Sequence, residues 1–291
     1  MRRRVVTAVL CISLALLCGS PAPAPREAKS EPVTAILGAF EKEVALLEYQ
    51  LKGLEEKTIE GMRFACGRLH GKKVVTAWTG VGKVNAAMTA TLLIEHYRPG
   101  AVIVTGIAGG VNPELSPGDI VIAEKTAYHD CGTAWPEGVA YKGVKNPFTG
   151  WENPVFFEAD ERLLKSALQT AEKTELEPLK TSEGERTPRI VKGVIVTGDL
   201  FIASEAKGAE LRKQLGADAV DMESAAVAQI CYQRDIPALV IRSISDKADE
   251  KAREDIGMFH TMAARNSSTF VGRMVELTDS GFPVERPGRK P

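Results

Sequence analysis

Runs of apolar residues alternate along the chain with segments in which apolar positions recur at helical spacing. The runs "VTAILGAF" (33–40) and "AVIVTGIAGG" (101–110) are rich in alanine and β-branched residues and carry glycines near their ends, which is typical of buried strands. The segment "KVNAAMTATLLIEHYRP" (83–99) has the apolar repeat of a helix and stops at proline. Alternating strands and helices predict an α/β fold around a largely parallel or mixed sheet.

The same criteria predict the remaining elements of the fold. Further strands are predicted over 61–71, 72–81, 118–130, 189–204 and 236–249, and helices over 41–54, 205–216 and most of 217–235. Two segments do not fit the alternation. Residues 131–157 combine glycines, prolines and aromatic residues in a long connection, which indicates a functional or mobile loop. Residues 177–189 are polar and rich in turn-forming residues, which indicates a solvated surface excursion.

The N-terminus has the pattern of a secretory signal. Three arginines precede an apolar stretch, and small residues and prolines follow it, so we interpret 1–24 as a signal peptide. The stretch is shorter than the roughly 20 residues of a membrane span, although a retained anchor helix stays an alternative. We therefore expect an exported protein, periplasmic or associated with the cell envelope, that contacts a membrane only if a lipid is attached at Cys18.

Composition limits the domain count and the classes of partner. The chain has 291 residues, of which 44% are apolar and 26% charged, and we expect one domain over 33–280, with 25–32 as a flexible tether and 281–291 as a tail. The net charge is −1 and positive residues form no stripe, so a nucleic-acid partner is not expected and a small molecule is favoured.

Outside the signal the chain contains three cysteines at wide spacing. Cys66, Cys131 and Cys231 match no metal pattern and no disulfide framework. We expect them to act as small apolar side chains.

Carboxylates at the ends of predicted strands and helices are the strongest chemical signal. Glu41 and Glu43 follow the first strand, Glu223 lies in the alanine-rich run "AVDMESAAVA", and Asp246 ends an apolar strand. Ligands of open α/β sheets bind at the carboxyl ends of strands, and desolvation raises the pKa of a carboxyl group toward the range useful for proton transfer. Each acid alone also fits a surface residue or a helix cap, as an N-cap at Asp246 illustrates, so their common location carries the hypothesis.

Two glycine-rich segments, "TGIAGG" (105–110) and "GVGKVNA" (80–86), are less specific. Neither has the spacing of a phosphate-binding loop. Glycines in the first segment let the backbone approach a ligand, with a tight turn as the alternative. The second segment is interpreted as structural.

The motifs "GAFEKEV", "TGIAGG", "GDIVIAE…YHD", "TGDLFI", "VDMESAA" and "RSISDKAD" occur in a specific order. With them the chain resembles the methylthioadenosine/S-adenosylhomocysteine nucleosidases, within the nucleoside phosphorylase superfamily, from about Ala35 to near Met274. The resemblance implies a three-layer α/β/α sandwich with a central mixed β-sheet, a homodimer, no metal and no other cofactor. The implied reaction is hydrolysis of the N-glycosidic bond of an adenine nucleoside.

The resemblance also implies roles for individual residues. Glu43 resembles the base that activates water, Asp246 the acid that protonates or hydrogen-bonds adenine N7, and Arg242 the arginine beside both the water and the ribose-binding glutamate. Glu223 and Met222 are similar to the residues that hold and underlie the ribose. The implied substrate-binding set is completed by Phe40, Ile107, Ala108, Gly109, Phe201, Ile202 and Asp221.

Two departures from the family pattern leave alternatives open. Ile107 stands where the family usually has serine or threonine, and it cannot hydrogen-bond water or ribose, so lower activity or altered substrate choice is expected. The segment 131–157 is longer and more aromatic than the corresponding family loop, which helps to form the 5′-substituent pocket of the dimer. The rival hypotheses are a phosphate-dependent purine nucleoside phosphorylase and an exported nucleoside-binding protein without turnover.

Overall fold

The structure is a computed structural model that describes residues 31–181, 184–278 and 282. These residues form fifteen strands and six helices. The strands are β1 (Thr34–Gly38), β2 (Lys52–Ile59), β3 (Met62–Leu69), β4 (Lys72–Trp78), β5 (Ala101–Val104), β6 (Ile107–Gly110), β7 (Ile120–Tyr128), β8 (Gly132–Trp135), β9 (Gly138–Tyr141), β10 (Phe156–Glu158), β11 (Leu179–Thr181), β12 (Gly184–Arg186), β13 (Ile190–Thr197), β14 (Ala219–Asp221) and β15 (Ala238–Asp246). The helices are α1 (Glu41–Tyr49), α2 (Lys83–Tyr97), α3 (Glu161–Ala171), α4 (Glu205–Leu215), α5 (Ser224–Gln233) and α6 (Ala252–Leu277).

Eleven of these strands form one mixed sheet in the order β10-β7-β13-β14-β6-β15-β5-β1-β4-β3-β2. Strands β4, β1, β5 and β15 run parallel, whereas β2, β3 and β4 form an antiparallel meander at one edge. The mixed sheet predicted from the sequence is thus confirmed.

One half of the sheet closes on itself. Strand β15 pairs in parallel with β6 and antiparallel with β7, and β7 continues through β13 and β14 back to β6. Strand β14 runs antiparallel to β6, which makes β14 antiparallel to β15 as well. The carboxyl ends of β14 and β15 therefore point in opposite directions, with β6 between them.

Helices cover both faces of the sheet. One apolar core contains Leu93 of α2 and Val227 of α5, and another contains Leu47 of α1, Leu163 of α3 and Phe270 of α6. The predicted three-layer α/β/α arrangement is thus confirmed. Because both faces of the sheet are buried, its central strands are continuously apolar.

Several predicted boundaries of strands and helices are wrong, because the structure pairs these segments with other strands. The run 101–110 is two strands that both run parallel to β15, because the regular strand is interrupted at Gly106, where φ is +144°. The predicted helix 41–54 ends at Tyr49, and β2 begins at Lys52. The predicted helix 217–235 starts with strand β14, and α3 was not predicted.

The two irregular segments contain hairpins. Within 131–157, β8 pairs with β9, and the backbones of Lys145 and Glu152 form an isolated antiparallel β-bridge. Within 177–189, β11 pairs with β12. The signal at 1–24, the tether up to residue 30 and the tail 281–291, apart from residue 282, lie outside the described residues.

The three described cysteines are free thiols. Cys231 is fully buried in the core, as expected, whereas Cys66 and Cys131 are half-buried.

Candidate active site

A pocket opens along strand β6, between the chain segments that follow β14 and β15. It is lined by Phe40, Val81, Ile107, Ala108, Gly109, Leu200, Phe201, Ile202, Val220, Asp221, Met222, Glu223, Ser245, Asp246 and Ile256. Of the twelve predicted site residues, ten belong to this set, and the other two lie beneath the floor of the pocket. Those two are Glu43 and Arg242, which are 0% and 1% exposed.

The structure brings these residues together differently from the sequence hypothesis of one common strand edge. Gly109 of β6 pairs with Val220 of β14 on one side and with Asp246 of β15 on the other. Asp246 and the 221–223 segment leave their strands in opposite directions. They therefore form two different walls, and β6 is the floor between them.

Glu43 is fixed by backbone N–H groups. Its Oε2 accepts hydrogen bonds from the N–H groups of Ala39 at 2.5 Å and Phe40 at 2.9 Å, and its Oε1 accepts from the N–H of Ile107 at 2.8 Å. The contact to Phe40 is the carboxylate half of a capping box, because Phe40 precedes the first residue of α1. The start of α1 thus aims this carboxylate at β6.

Arg242 links the carboxylates under the floor. Its Nε donates to Asp221 Oδ2 at 2.8 Å and its Nη2 to Glu223 Oε2 at 3.2 Å, while its Nη1 lies 3.9 Å from Glu43 Oε1 and donates to the carbonyl of Thr105. A buried guanidinium needs such partners, since desolvation of an unpaired charge is costly. Three carboxylates surround one cation, so the floor is suited to a substrate that becomes positively charged.

Asp221 lines the pocket, but its carboxylate is bound by neighbouring side chains. Thr197 Oγ1 donates to its Oδ1 at 2.6 Å, and Ser224 Oγ donates to its Oδ2, where Arg242 also binds. The carboxylate has no free edge for a ligand in this arrangement. Asp221 is therefore placed to orient Arg242.

Glu223 is deeply buried and accepts one hydrogen bond at each carboxylate oxygen. It is 5% exposed, and its Oε1 accepts a 2.9 Å hydrogen bond from the N–H of Gly82. Burial raises the pKa of Glu223 to about 7; Arg242 opposes this rise and Asp221 adds to it. A carboxyl group in this state accepts or donates hydrogen bonds near neutral pH, which suits a sugar hydroxyl.

Asp246 forms the opposite wall. Burial raises its pKa above the ordinary range, although hydrogen bonds from Ser245 Oγ to Oδ2 at 2.7 Å and from the N–H of Ala248 to Oδ1 at 2.9 Å oppose the rise. The next helix has Lys251 at its N-cap, so Asp246 is not a helix cap. A buried carboxyl with a raised pKa is suited to donate a proton.

Aromatic side chains stand at the mouth of the pocket. Phe201 is 38% exposed, with the Arg253 guanidinium 5.6 Å from its ring centroid, and Phe40 is 39% exposed and contacts His260 edge to face at 5.3 Å. Ile202 is buried beside Phe201. These faces offer a flat ligand a stacking surface.

Further residues that were not predicted support the site. Ser245 and Ser224 were adjacent to predicted residues within the motifs, but nothing local distinguishes a serine that binds a carboxylate. The interpretation of "GVGKVNA" as purely structural is incomplete, because the N–H of Gly82 binds Glu223. Among the described residues, no group of three or more His, Cys, Asp or Glu side chains is placed to hold a metal ion.

Comparisons with known proteins match nearly the whole described region. Residues 33–276 match the model of the phosphorylase superfamily. A 5′-methylthioadenosine/S-adenosylhomocysteine nucleosidase from Geobacillus kaustophilus is 40% identical over 245 residues, which cover 84% of this chain and 96% of the relative.

Solved structures give the same result for the fold. The Neisseria meningitidis nucleosidase of the same name, in complex with methylthio-immucillin-A, superposes with a TM-score of 0.74 at 35% identity and covers 84% of this chain and 99% of its own. The futalosine hydrolase of Helicobacter pylori has a TM-score of 0.71 at 29% identity, with 85% and 98% covered.

Proposed function

The chain belongs to the phosphorylase superfamily, among its 5′-methylthioadenosine/S-adenosylhomocysteine nucleosidases, and from this membership we propose how its pocket acts on its substrate. The protein is an N-glycosyl hydrolase that cleaves adenine nucleosides and releases adenine. We assign the sugar to the wall of Met222 and Glu223 and the base to the wall of Phe201, Ile202 and Asp246.

The proposed mechanism divides the chemistry between the two walls. Glycoside cleavage passes through an oxocarbenium-like state, so the carboxylates of Glu43 and Glu223 stabilise the ribose as it becomes cationic. Glu43, held by three backbone N–H groups, orients and deprotonates the attacking water. Asp246 gives its proton to N7 of the departing adenine, which leaves as a neutral base.

The choice of water over phosphate rests on one observation. None of the residues that line the pocket is Lys, Arg or His, and the arginine beneath it is committed to Asp221, Glu223 and the Thr105 carbonyl. Phosphate needs several cationic donors. The carboxylate-rich floor repels this anion, so hydrolysis is favoured over phosphorolysis.

The test is release of free base by the purified chain from methylthioadenosine, adenosylhomocysteine, adenosine, inosine and futalosine, each with and without phosphate. We expect adenine release from the two thionucleosides that does not depend on phosphate. Strict dependence on phosphate would identify a phosphorylase. Tight binding of methylthioadenosine without release would identify a binding protein, and preference for futalosine would reassign the substrate.

A homodimer is part of this proposal. Val84 and Met88 on α2 are 77% and 47% exposed, and Trp135 on β8 is 60% exposed. Large apolar side chains in such positions favour an interface with a second copy. Light scattering of the wild type and of Met88→Glu tests it: we expect a dimer for the first and a monomer for the second.

Export is also a proposal, carried by the sequence of 1–24. No helix among the described residues is long and apolar enough to cross a membrane. Fractionation of cells that express the full chain, followed by N-terminal sequencing, tests export. An uncleaved cytoplasmic product would contradict it.

A further inference from the structure

The amino end of helix α2 touches both walls of the pocket. Its N-cap is Gly82, which has no side chain to bind the first N–H groups of the helix. Two carboxylates from other parts of the chain replace that cap: the N–H of Gly82 donates to Glu223 Oε1 at 2.9 Å, and the N–H of Lys83 donates to Asp199 Oδ1 at 2.8 Å. The positive end of the helix dipole favours both contacts.

Asp199 belongs to the base-side wall. It immediately precedes Leu200, Phe201 and Ile202, which line the pocket. A side chain at position 82 would be strained, because Gly82 has a φ of +97° and an added Cβ would stand 3.1 Å from Asp199 Oδ1. The helix end is thus in direct contact with the start of the base-binding loop.

The Lys83 side chain reinforces this arrangement. Its Nζ lies 2.7 Å from both carboxylate oxygens of Asp130 and 3.7 Å from Asp199 Oδ2, and the N–H of Asp199 donates to Asp130 Oδ2 at 2.9 Å. Burial works to raise the pKa of Asp130, but the hydrogen bonds from Lys83 and from the Asp199 backbone outweigh it and hold this pKa below its usual value. Without the lysine, two adjacent carboxylates would repel each other.

We propose that Lys83, Asp130 and Asp199 form a positioning cluster that holds the base-binding loop and the ribose-binding Glu223 in register through the amino end of α2. The proposal rests on the function proposed above. The cluster touches no substrate itself. It sets the separation between the two walls, and a nucleoside must contact both walls at once to be bound.

The test compares Lys83→Met, Lys83→Arg and the control Lys192→Met. Lys192 is a suitable control because it forms an ion pair of the same 2.7 Å length, with Glu124, and it is 49% exposed. The measurements are kcat and KM for methylthioadenosine, calorimetric binding of adenine and of 5-methylthioribose, and Tm.

We expect Lys83→Met to raise KM and to weaken binding of both products by about fivefold, the upper range for a partly exposed ion pair, with kcat changed by less than about twofold. Lys83→Arg restores most of the loss, and Lys192→Met leaves KM unchanged. Unchanged KM in Lys83→Met, or an equal rise in Lys192→Met, would overturn the proposal. So would weaker adenine binding with unchanged 5-methylthioribose binding, because the cluster would then serve one wall alone.

The proposed reaction and the proposed role of the cluster are tested by different measurements. A wild-type chain that binds adenine and releases none from any nucleoside would contradict the proposed reaction. The binding comparison between Lys83→Met and Lys192→Met would still decide the role of the cluster, because it needs no turnover.

Discussion

Gly106 lies so close to Glu43 that a Cβ atom on the glycine would stand 2.3 Å from the Oε1 atom of the glutamate. The same atom would stand 2.3 Å from Nη1 of Arg242, and the glycine has a φ of +144°, which side chains rarely adopt. Glycine at this position lets the chain leave β5, pass the buried carboxylate and enter β6. The backbone N–H of the next residue, Ile107, then reaches Glu43.

We expect Gly106→Ala to lower kcat by about 100-fold, since a displacement of about 1 Å in a positioned catalytic group has that effect. It also lowers the free energy of unfolding by about 1–3 kcal/mol through strain. The control is Gly61→Ala, at a φ of +81° with no atom within 4 Å of the added Cβ. Steady-state kinetics and thermal unfolding measure both effects. A Gly106→Ala enzyme as fast as Gly61→Ala would mean that Glu43 does not have to be held in place.

For Asp246→Asn we expect kcat to fall by about 100- to 1,000-fold, with product binding changed little, because the amide keeps the shape and loses the proton. Glu250→Gln, at a nearby exposed position, is the control. The raised pKa of Asp246 keeps it protonated above the ordinary carboxyl range, so kcat of the wild type should fall as pH rises through that pKa. If kcat of the wild type and the residual kcat of Asp246→Asn depend on pH in the same way, the role of Asp246 as the acid is contradicted.

Glu223 should make the protein less stable as pH rises. Its pKa is raised by burial from 4.5 to about 7, so between these values the folded state binds more protons than the unfolded state. The contribution to the free energy of unfolding is therefore greatest below pH 4.5, on the order of 3 kcal/mol, and it is lost as pH rises through about 7. Denaturant unfolding from pH 4.5 to 7.5 of the wild type and of Glu223→Gln measures it. A difference between the two that does not change with pH would show that Glu223 stays ionised.

We expect a polar substitution at Ile107 to change activity and stability in opposite directions. Its side chain packs against Ala263 and Ala264 and is 7% exposed, while its N–H holds Glu43. We expect Ile107→Ser to lower the free energy of unfolding by about 2–4 kcal/mol through the cavity it leaves. It should raise kcat/KM by about threefold, because the hydroxyl adds one hydrogen-bond partner for water or ribose.

The control for this prediction is Ile107→Val, which loses about 1 kcal/mol of stability and adds no hydroxyl. Equal kcat/KM values for the serine and valine variants would show that the missing hydroxyl does not limit this enzyme. Thermal unfolding of both variants separates the packing effect from the chemical one.

The sequence by itself determined the α/β class, the helices α2 and α4 and most of the central strands. These elements depend on local periodicity and on residues that stop a helix or strand, such as Pro99 after α2. The order of the motifs also led to a set of candidate site residues, whose roles stay predictions. Every predicted lining residue does line the pocket.

Only the tertiary structure decided how these residues meet. Strand pairing splits 101–110 at Gly106 and reverses β14 relative to β6, so Glu223 and Asp246 form opposite walls. It also places Asp221 against Arg242, and Gly82 against Glu223. These contacts join residues distant in the chain, and their energies depend on burial and on the orientation of partner groups. The local sequence pattern predicts neither the burial of these groups nor their orientation, because both arise only when the sheet closes and water leaves the site.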